Sequence, residues 1–431
     1  MSDVVTGLVC AVCGTAVSIS QALSWKCPLA TEADTHHVLH FENTIEPFRP
    51  TDDVNPYLAF RKYLAVDSFG AAIGLSEDER IRIITQANDA VKAVAGTGFL
   101  RTPLYRSNEL SDALEFTAEG GVWIKDETHN VAGSHKARHL FTELLHLLFA
   151  EAAGVAPWTS STRPSLAIAS CGNAAIAAST LAAAVQWPIY VHVPPASATE
   201  VLTALTELDA DVRVCPRLPG DAAGDPCVLR FREAVANGAI AFGVQGTENA
   251  WCLDGGRTIG WEMTEEMGPL LDRIFIQVGG GAFAACVGSS LRSAGVHPKL
   301  HAVQTEGCAP LARAWENALA TGGARNAGPR WKECMWPWET TPVSIADGIL
   351  DDETYDWIGV LDAMADTGGA PIVVSEQHVM QAYELVHTLT SVNVSATGVA
   401  GLAGLLATRD QIASDERVVV VMSGIERVVP R

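Results

Sequence analysis

Short apolar runs alternate with longer helical segments through the middle of the chain. Four runs have the length and aliphatic content of buried strands, at 166–169, 189–193, 212–215 and 240–244. The segments between them have the length and composition of helices, at 174–185, 198–208 and 226–237. This alternation predicts a parallel sheet that helices cover on both faces.

Strand-like segments outside this region predict a second sheet, with strands near Val122, Ile274, Leu300 and Val418. The expected fold is α/β, with two open twisted parallel-sheet domains. The expected division is a cysteine-bearing N-terminal segment at 1–45, a larger domain at 46–140 and 245–431, and a smaller α/β domain at 141–244. Ser76 followed by Glu79 also predicts a capping box at the start of a helix.

Composition narrows the function classes. The 431 residues carry a net charge of −21 and only 18% of them are charged, which is typical of a compact enzyme and disfavours nucleic acid or an anionic membrane as partners. No apolar run approaches the roughly 18 residues of a membrane span, and Asp3 stands where a secretory signal would carry a base. Ten scattered cysteines suit reduced thiols, so we expect a cytoplasmic protein.

The most informative local pattern is a lysine at a predicted helix start. Lys136 follows a Gly133-Ser134 turn and precedes Arg138, between a strand-like segment at 121–126 and an apolar helical run. Backbone N–H groups at a helix start disfavour a cation, so the amine tends toward its neutral, nucleophilic form. The alternative is an ordinary solvated lysine at a helix end.

Two further turns follow predicted strands. The segment from Ser170 to Asn173 leads from a buried strand into an Ala-rich helix and presents an amide side chain; Asn173 could equally be a plain N-cap. The residues from Gly279 to Ala282 lead from another strand into a small-residue helix and suit a phosphate, because glycines let backbone N–H groups approach an anion. The same glycine pattern is also close to a nicotinamide-dinucleotide fingerprint.

Taken in order and spacing, these motifs resemble those of fold-type II pyridoxal-phosphate enzymes. Within that family the chain is most similar to the threonine synthase and serine/threonine dehydratase group, over roughly Gly96 to Gly424. The resemblance implies a bound pyridoxal 5′-phosphate and an active site in the cleft between the two domains. We expect a homodimer that acts on a small amino-acid substrate.

The resemblance also implies roles for individual residues. Lys136 would form a Schiff base with the cofactor and move the α-proton, with Ser134 beside it in the catalytic set. The phosphate would lie on Gly279, Gly280, Gly281 and Ala282, Asn173 would bind the ring hydroxyl, and Ser423 would face the pyridine nitrogen unless it is only a helix N-cap. The substrate would contact Ser170, Gly172, Asn173 and Arg138.

The expected reaction is β-elimination or β-replacement on a β-substituted L-amino acid. A neutral hydroxyl at Ser423 cannot keep the pyridine nitrogen protonated, which favours rapid loss of a leaving group from Cβ. The alternative is threonine synthase chemistry on O-phosphohomoserine, with Arg101, His135 and Arg138 as a second anion pocket. Threonine synthases usually have phenylalanine and aspartate at the positions of His135 and Ala137. More remote alternatives are a nicotinamide-dependent oxidoreductase and a catalytically silent cofactor-binding protein.

Cysteines in the N-terminal segment form an incomplete metal motif. Cys10 and Cys13 have the spacing of a zinc-ribbon half, but Cys27 lacks the second cysteine of its own pair. His36, His37 or His40 could supply a fourth ligand. Threonine synthases often carry a similar segment, sometimes degenerate, so no metal site is assigned and Cys10, Cys13 and Cys27 remain weak candidates.

Overall fold

The computed structural model of the chain describes residues 5–31, 34–43, 47–222 and 224–427. Its strands, in chain order, are β1 (Val5–Cys10), β2 (Ala16–Ser18), β3 (Leu39–Asn43), β4 (Leu104–Ser107), β5 (Gly121–Asp126), β6 (Leu166–Ala169), β7 (Ile189–Val193), β8 (Asp211–Val214), β9 (Ile240–Ala241), β10 (Arg273–Gln277), β11 (Lys299–Thr305), β12 (Ile372–Val374) and β13 (Arg417–Met422).

The α-helices alternate with these strands through most of the chain. They are α1 (Pro56–Ala59), α2 (Ala65–Ala72), α3 (Glu77–Ala95), α4 (Asn108–Ala113), α5 (Lys136–Ala152), α6 (Asn173–Ala184), α7 (Thr199–Glu207), α8 (Pro226–Ala236), α9 (Cys252–Gly255), α10 (Arg257–Glu266), α11 (Ala282–Ser293), α12 (Pro310–Ala320), α13 (Trp331–Cys334), α14 (Trp357–Thr367), α15 (Glu376–Leu389) and α16 (Ala400–Ala407).

Three sheets organise these elements. A small antiparallel sheet has the order β2-β1-β3, a six-stranded sheet has the order β12-β11-β10-β13-β5-β4, and a four-stranded sheet has the order β8-β7-β6-β9. The α/β class predicted from the sequence is confirmed, and the strands near Val122, Ile274, Leu300 and Val418 do share one sheet. The larger sheet is not purely parallel, because β4 pairs antiparallel with β5 across the short helix α4.

The four-stranded sheet is parallel throughout. Its first two strands have the predicted bounds, and its helices begin and end within a residue or so of the prediction. Its last strand is shorter than the predicted 240–244 and ends at Ala241. The chain leaves the sheet there, and Gly246 soon afterwards donates its N–H to the carboxylate of Asp356.

Local sequence explains how the elements begin. Ser76 caps α3, accepting the N–H of Glu79 while the Glu79 carboxylate accepts the N–H of Ser76, which is the predicted capping box.

Helix α6 is apolar on all sides and buried, because it lies between its own sheet and helices α3 and α5.

Each large sheet draws its strands from one part of the sequence. The four-stranded sheet uses residues between 166 and 241, and the six-stranded sheet uses residues between 104 and 126 and between 273 and 422. The small antiparallel sheet lies at the N-terminus, and its apolar side chains join the core around α5 and α6. No helix in the described part of the chain is both long and apolar enough to cross a bilayer.

Candidate active site

The segments singled out in the sequence leave the carboxyl ends of four parallel strands. Strand β5 leads to the turn before Lys136, β6 to Asn173, β10 to the three glycines, and β13 to Ser423. Carboxyl ends of parallel strands are where open α/β sheets bind ligands. The contacts between these segments bring residues of both large sheets to one site.

Lys136 is the first residue of α5, as its sequence context predicted. Burial lowers the pKa of its ammonium group below the usual value, although the nearby carboxylates of Asp351 and Asp356 act in the opposite direction. The amine is thus shifted toward the neutral form that attacks an aldehyde. In the structure the cause of this shift is burial, whereas the sequence pointed to the helix start.

Asp351 lies near both Lys136 and the glycine segment. Burial raises the pKa of its carboxyl group to about 6, while the positive charge of Lys136 and the N–H of Gly280 oppose that rise. A Cβ atom at Gly279 would collide with this carboxylate. The position over the Gly280 N–H therefore already attracts an anionic oxygen, as expected of a phosphate-binding segment.

The glycine segment requires its glycines for backbone reasons. Gly281 has φ +94°, a left-handed conformation that side chains rarely adopt, and a Cβ there would lie 2.8 Å from the methyl group of Thr354. Helix α11 starts at Ala282, and none of the described side chains caps its N-terminus. Its first N–H groups are therefore suited to an anionic ligand.

Asp356 is a second buried carboxyl group near Lys136. Burial raises its pKa to about 7, while the N–H of Gly246 and the charge of Lys136 oppose the shift. Its Oδ2 accepts that N–H at 3.1 Å, and among the described residues its Oδ1 has no hydrogen-bond partner. The two aspartates near Lys136, Asp351 and Asp356, both act to raise its pKa.

Ser423 contacts the residue just before Lys136. Its hydroxyl accepts the backbone N–H of His135 at 3.0 Å and lies 2.5 Å from the His135 Nδ1. The His135 ring stacks on Phe283 with centroids 4.0 Å apart. Burial, with the charges of Lys136 and its neighbours, lowers the pKa of His135 well below 6.5, so the imidazole is neutral. No helix begins after Ser423 within the described residues, and the imidazole that its hydroxyl contacts carries no charge.

Asn173 lies at the start of α6, and Gly172 occupies the N-cap position. The Asn173 amide does not cap the helix; its Oδ1 accepts a hydrogen bond from Arg427. A Cβ at Gly424 would lie 2.9 Å from Nδ2 of Asn173, which shows how closely the segment after β13 approaches the smaller sheet. Arg427 also donates to the carbonyl of Ala132 at 2.7 Å.

The other predicted serines support turns in this structure. The Lys136 N–H donates to Oγ of Ser134 at 3.4 Å, and the Gly172 N–H donates to Oγ of Ser170 at the same distance. Ser134 is buried, whereas Ser170 and Gly172 are partly accessible. Both turns lie beside the lysine and the amide that they were predicted to accompany.

Arg138 is placed differently from its predicted role in substrate binding. Its guanidinium is fully buried and donates to Glu127 and Glu262, with further bonds to Thr102 and Thr258. Every N–H donor of the guanidinium is thereby used. Arg138 therefore has none left for a substrate carboxylate in this structure, and its contacts are those of a residue that stabilises the core beneath Lys136.

Sequence reasoning did not single out Asp351, Asp356 or Arg427. The two aspartates belong to an acidic run, Asp351-Asp-Glu-Thr-Tyr-Asp356, and that cluster of charge was a signal available in the sequence. Arg427 follows the last strand by five residues and had no motif to mark it. Their places at the site depend on long-range packing.

The residues present fit pyridoxal phosphate. A partly buried lysine with a lowered pKa and the glycine segment share Asp351 as a neighbour, the neutral hydroxyl of Ser423 contacts the residue before that lysine, and the Asn173 amide begins the helix after strand β6. Such a set can hold an aldehyde, a phosphate, a ring hydroxyl and a pyridine nitrogen.

Comparisons with known proteins find similar sequences and a similar fold. The chain is 24% identical over 334 residues to a threonine synthase of Methanosarcina acetivorans, covering 75% of this chain and 74% of that one. Its fold is similar to the processed form of threonine deaminase isoform 2 from Solanum lycopersicum, with a TM-score of 0.61 and 18% identity over 82% of this chain and 91% of the other. It is also similar to a fungal L-serine ammonia-lyase from Rhizomucor miehei, with a TM-score of 0.60 and 18% identity over 77% and 95% of the two chains.

These structural similarities show a shared fold, and a sequence-profile match identifies the family. Residues 96–424, about three quarters of the chain, match the profile of pyridoxal-phosphate dependent enzymes. The match includes Lys136, the glycine segment and Ser423, and it decides the choice of cofactor against the nicotinamide alternative. The chain belongs to the family of pyridoxal-phosphate-dependent enzymes.

Proposed function

We propose that the enzyme catalyses β-elimination or β-replacement on a β-substituted L-amino acid. The observation that carries this proposal is the Ser423–His135 pair beside Lys136, in which a neutral hydroxyl contacts a neutral imidazole. Neither group supplies the negative charge that would keep a nearby pyridine nitrogen protonated. A site of this kind favours rapid departure of a β-substituent over reactions that need a long-lived negative charge at Cα.

Pyridoxal phosphate, when bound, supplies the electron sink for the pair released at Cα. Lys136 would hold the cofactor aldehyde and then move the α-proton, a role that its lowered pKa supports because the neutral amine is a base. The N–H groups from Gly280 to Ala282 would bind the phosphate. Asn173, oriented by Arg427, would donate to the ring hydroxyl.

Two turns would hold the substrate carboxylate. The Ser170–Asn173 turn is partly accessible and offers N–H and hydroxyl donors, and Ser134 lies next to Lys136. Neutral donors of this kind bind a carboxylate without adding a positive charge near Cα. The site therefore relies on backbone and hydroxyl groups for a role that Arg138 cannot fill.

Threonine synthase chemistry on O-phosphohomoserine is the second candidate, and it needs another anion pocket. Of the side chains expected to form it, Arg138 is fully paired, Arg101 pairs with Glu265, and His135 is neutral. Arg427 is the observation in favour of this reaction, since it places a guanidinium beside Asn173. The acidic surroundings of Lys136 weigh against a second phosphate.

A substrate panel tests the proposal. Purified enzyme is offered serine, threonine, hydroxyaspartate, O-acetylserine and O-phosphohomoserine, while keto acid, ammonia and phosphate are measured, with Lys136→Ala as the inactive control. We expect keto acid and ammonia from at least one β-substituted amino acid, or exchange of its β-substituent for an added thiol. Phosphate release with threonine formation would establish the synthase reaction instead. Inactivity toward the whole panel by enzyme saturated with cofactor would count against the proposed reaction.

A further inference from the structure

Four side chains of the N-terminal segment converge outside the part of the chain that matches the family. The ligand atoms of Cys10, Cys13, Cys27 and His37 all lie within 4.8 Å of one another. Cys10 Sγ is 3.4 Å from His37 Nδ1, and Cys13 Sγ is 3.6 Å from Cys27 Sγ. The described ranges contain no other group of this kind.

These separations match a tetrahedral zinc site. Zinc binds thiolate sulfur at about 2.3 Å and imidazole nitrogen at about 2.0–2.1 Å, so tetrahedral angles place two sulfurs about 3.8 Å apart and a sulfur and a nitrogen about 3.6 Å apart. The two measured separations lie within about 0.2 Å of those values. Three thiolates and one imidazole are also a known ligand set of structural zinc.

A carboxylate lies behind the histidine. While Nδ1 of His37 faces Cys10, its Nε2 lies 3.2 Å from Oδ2 of Asp34. Zinc-bound histidines almost always donate their other N–H in this way, and the carboxylate fixes the tautomer and the ring orientation. Cys27 has backbone support, because the Leu29 N–H donates to its sulfur at 3.4 Å.

The neighbouring histidines are oriented away from this cluster. His36 stacks against Trp331 with centroids 4.6 Å apart, and its Nε2 lies 3.7 Å from the Glu353 carboxylate. His40 lies in β3, where its ring approaches Gly359. Of the three histidines that the sequence offered as a fourth ligand, the structure therefore selects His37.

We propose that Cys10, Cys13, Cys27 and His37 bind one Zn²⁺, with Asp34 as the carboxylate that orients His37. The protein supplies four ligands and leaves no position for water or substrate, so the metal is structural. Cys10, Cys27 and His37 are buried, whereas Cys13 is exposed and gives the metal a route in from solvent.

The metal would fasten the N-terminal segment to the body of the enzyme. The Ala11 carbonyl packs against Gly328, and the Trp25 and Ser24 carbonyls accept hydrogen bonds from the Ala250 N–H and the Trp251 indole. Each contact lies within two or three residues of a ligand. Because metal binding occurs only in the folded state, its binding free energy adds to stability.

Metal analysis of the full-length enzyme, expressed with added zinc, tests the site. We expect about one zinc per chain in the wild type, and a loss of most of it in Cys13→Ser, whose exposed side chain has little packing to lose. Cys215→Ser is the matched control: Cys215 also lies 3.6 Å from a histidine Nδ1, that of His192, but belongs to no four-ligand cluster. It should keep its zinc.

Two further measurements do not depend on a cysteine variant folding. Replacing zinc by cobalt in the wild type should give thiolate-to-metal charge-transfer bands and the visible spectrum of tetrahedral cobalt. Asp34→Asn should weaken zinc affinity by about 10- to 100-fold in a chelator competition. Wild-type protein without stoichiometric zinc, an octahedral cobalt spectrum, or a Cys13–Cys27 disulfide in protein purified under reducing conditions would overturn the proposal.

Discussion

The Ser423 hydroxyl lies 2.5 Å from Nδ1 of His135 and also accepts the His135 backbone N–H. This pair joins the end of strand β13 to the residue that precedes Lys136. The histidine stands where threonine synthases usually have an aromatic residue, and it keeps an aromatic contact by stacking on Phe283. The contact between the His135 ring and the Ser423 hydroxyl is an additional interaction that a phenylalanine side chain could not make.

Replacing Ser423 by aspartate tests whether this hydroxyl faces the cofactor. A carboxylate there would stabilise a protonated pyridine nitrogen and would also raise the pKa of His135. We expect elimination to slow by about tenfold, the equivalent of one pKa unit, while exchange of the α-proton with solvent persists. Product formation and α-deuterium exchange, measured on the same sample, separate these two effects.

Ser423→Ala is the control for the aspartate variant. It removes the hydroxyl without adding charge, so its effect on elimination should be smaller than that of Ser423→Asp. If Ser423→Asp binds cofactor normally and leaves both elimination and exchange unchanged, Ser423 does not face the ring.

Asp351 is expected to compete with the phosphate for the glycine segment. Its carboxyl group has a pKa of about 6, so it is mainly neutral at pH 5 and mainly ionised at pH 7. Asp351→Asn should therefore bind a phosphate-bearing analogue more tightly than the wild type at pH 7, by about tenfold, with the difference shrinking toward pH 5. A suitable probe is 4′-deoxypyridoxine 5′-phosphate, which cannot condense with Lys136, titrated by fluorescence.

The comparison between the two proteins removes the ionisation of the analogue itself, which is common to both. If the wild type and Asp351→Asn bind the analogue equally well at both pH values, the Asp351 carboxylate does not oppose the phosphate. Tighter binding by the wild type would indicate that Asp351 assists the ligand.

Gly280→Asp tests the phosphate seat directly. A side chain at this position would lie 3.1 Å from the Tyr355 ring and would add a second carboxylate beside Asp351. We expect cofactor affinity to fall by at least about tenfold, since charge and bulk would oppose the phosphate where N–H groups are needed. Equilibrium dialysis measures this, and Gly280→Ala reports the effect of bulk alone. Unchanged occupancy in the aspartate variant would assign the segment another role.

Arg138 is expected to act on stability. Arg138→Met would leave the buried Glu127 carboxylate without a cationic partner and Glu262 with only Lys125, at a cost of about 3–5 kcal/mol in the free energy of unfolding. Arg101→Met is the matched control, because the Arg101–Glu265 pair is partly exposed and should be worth only about 0–1 kcal/mol. Denaturant unfolding measures both. A raised KM for Arg138→Met with unchanged stability would restore Arg138 as a substrate contact.

Much of the fold and the general place of the site could be predicted because the relevant signals are local. The strand–turn–helix pattern around Lys136, Asn173 and Gly281 is contained in short stretches of sequence. Parallel strands then bring their carboxyl ends to one edge of a sheet. Strand β9 was predicted too long because its apolar composition continues after the chain has left the sheet.

The features of the site that the sequence did not predict depend on contacts between residues far apart in the chain. Arg138 is adjacent to the lysine motif, but its partner Glu262 is 124 residues away, so no local pattern indicated that its donors are already used. Asp351 reaches the glycine segment from more than seventy residues further along the chain. The motifs therefore predicted where these residues lie in the chain's strand–turn–helix units. They did not predict which side chains remain free to bind a ligand.

The proposed chemistry requires that Lys136 carry the cofactor. Borohydride reduction of the enzyme purified with pyridoxal phosphate, followed by peptide mass mapping, identifies the lysine that does so. We predict a yellow protein that loses its colour on reduction and retains a pyridoxyl group on Lys136, and a Lys136→Ala variant that retains none. A protein that takes up no cofactor, or one labelled at another lysine and equally in Lys136→Ala, would show that Lys136 does not carry the cofactor.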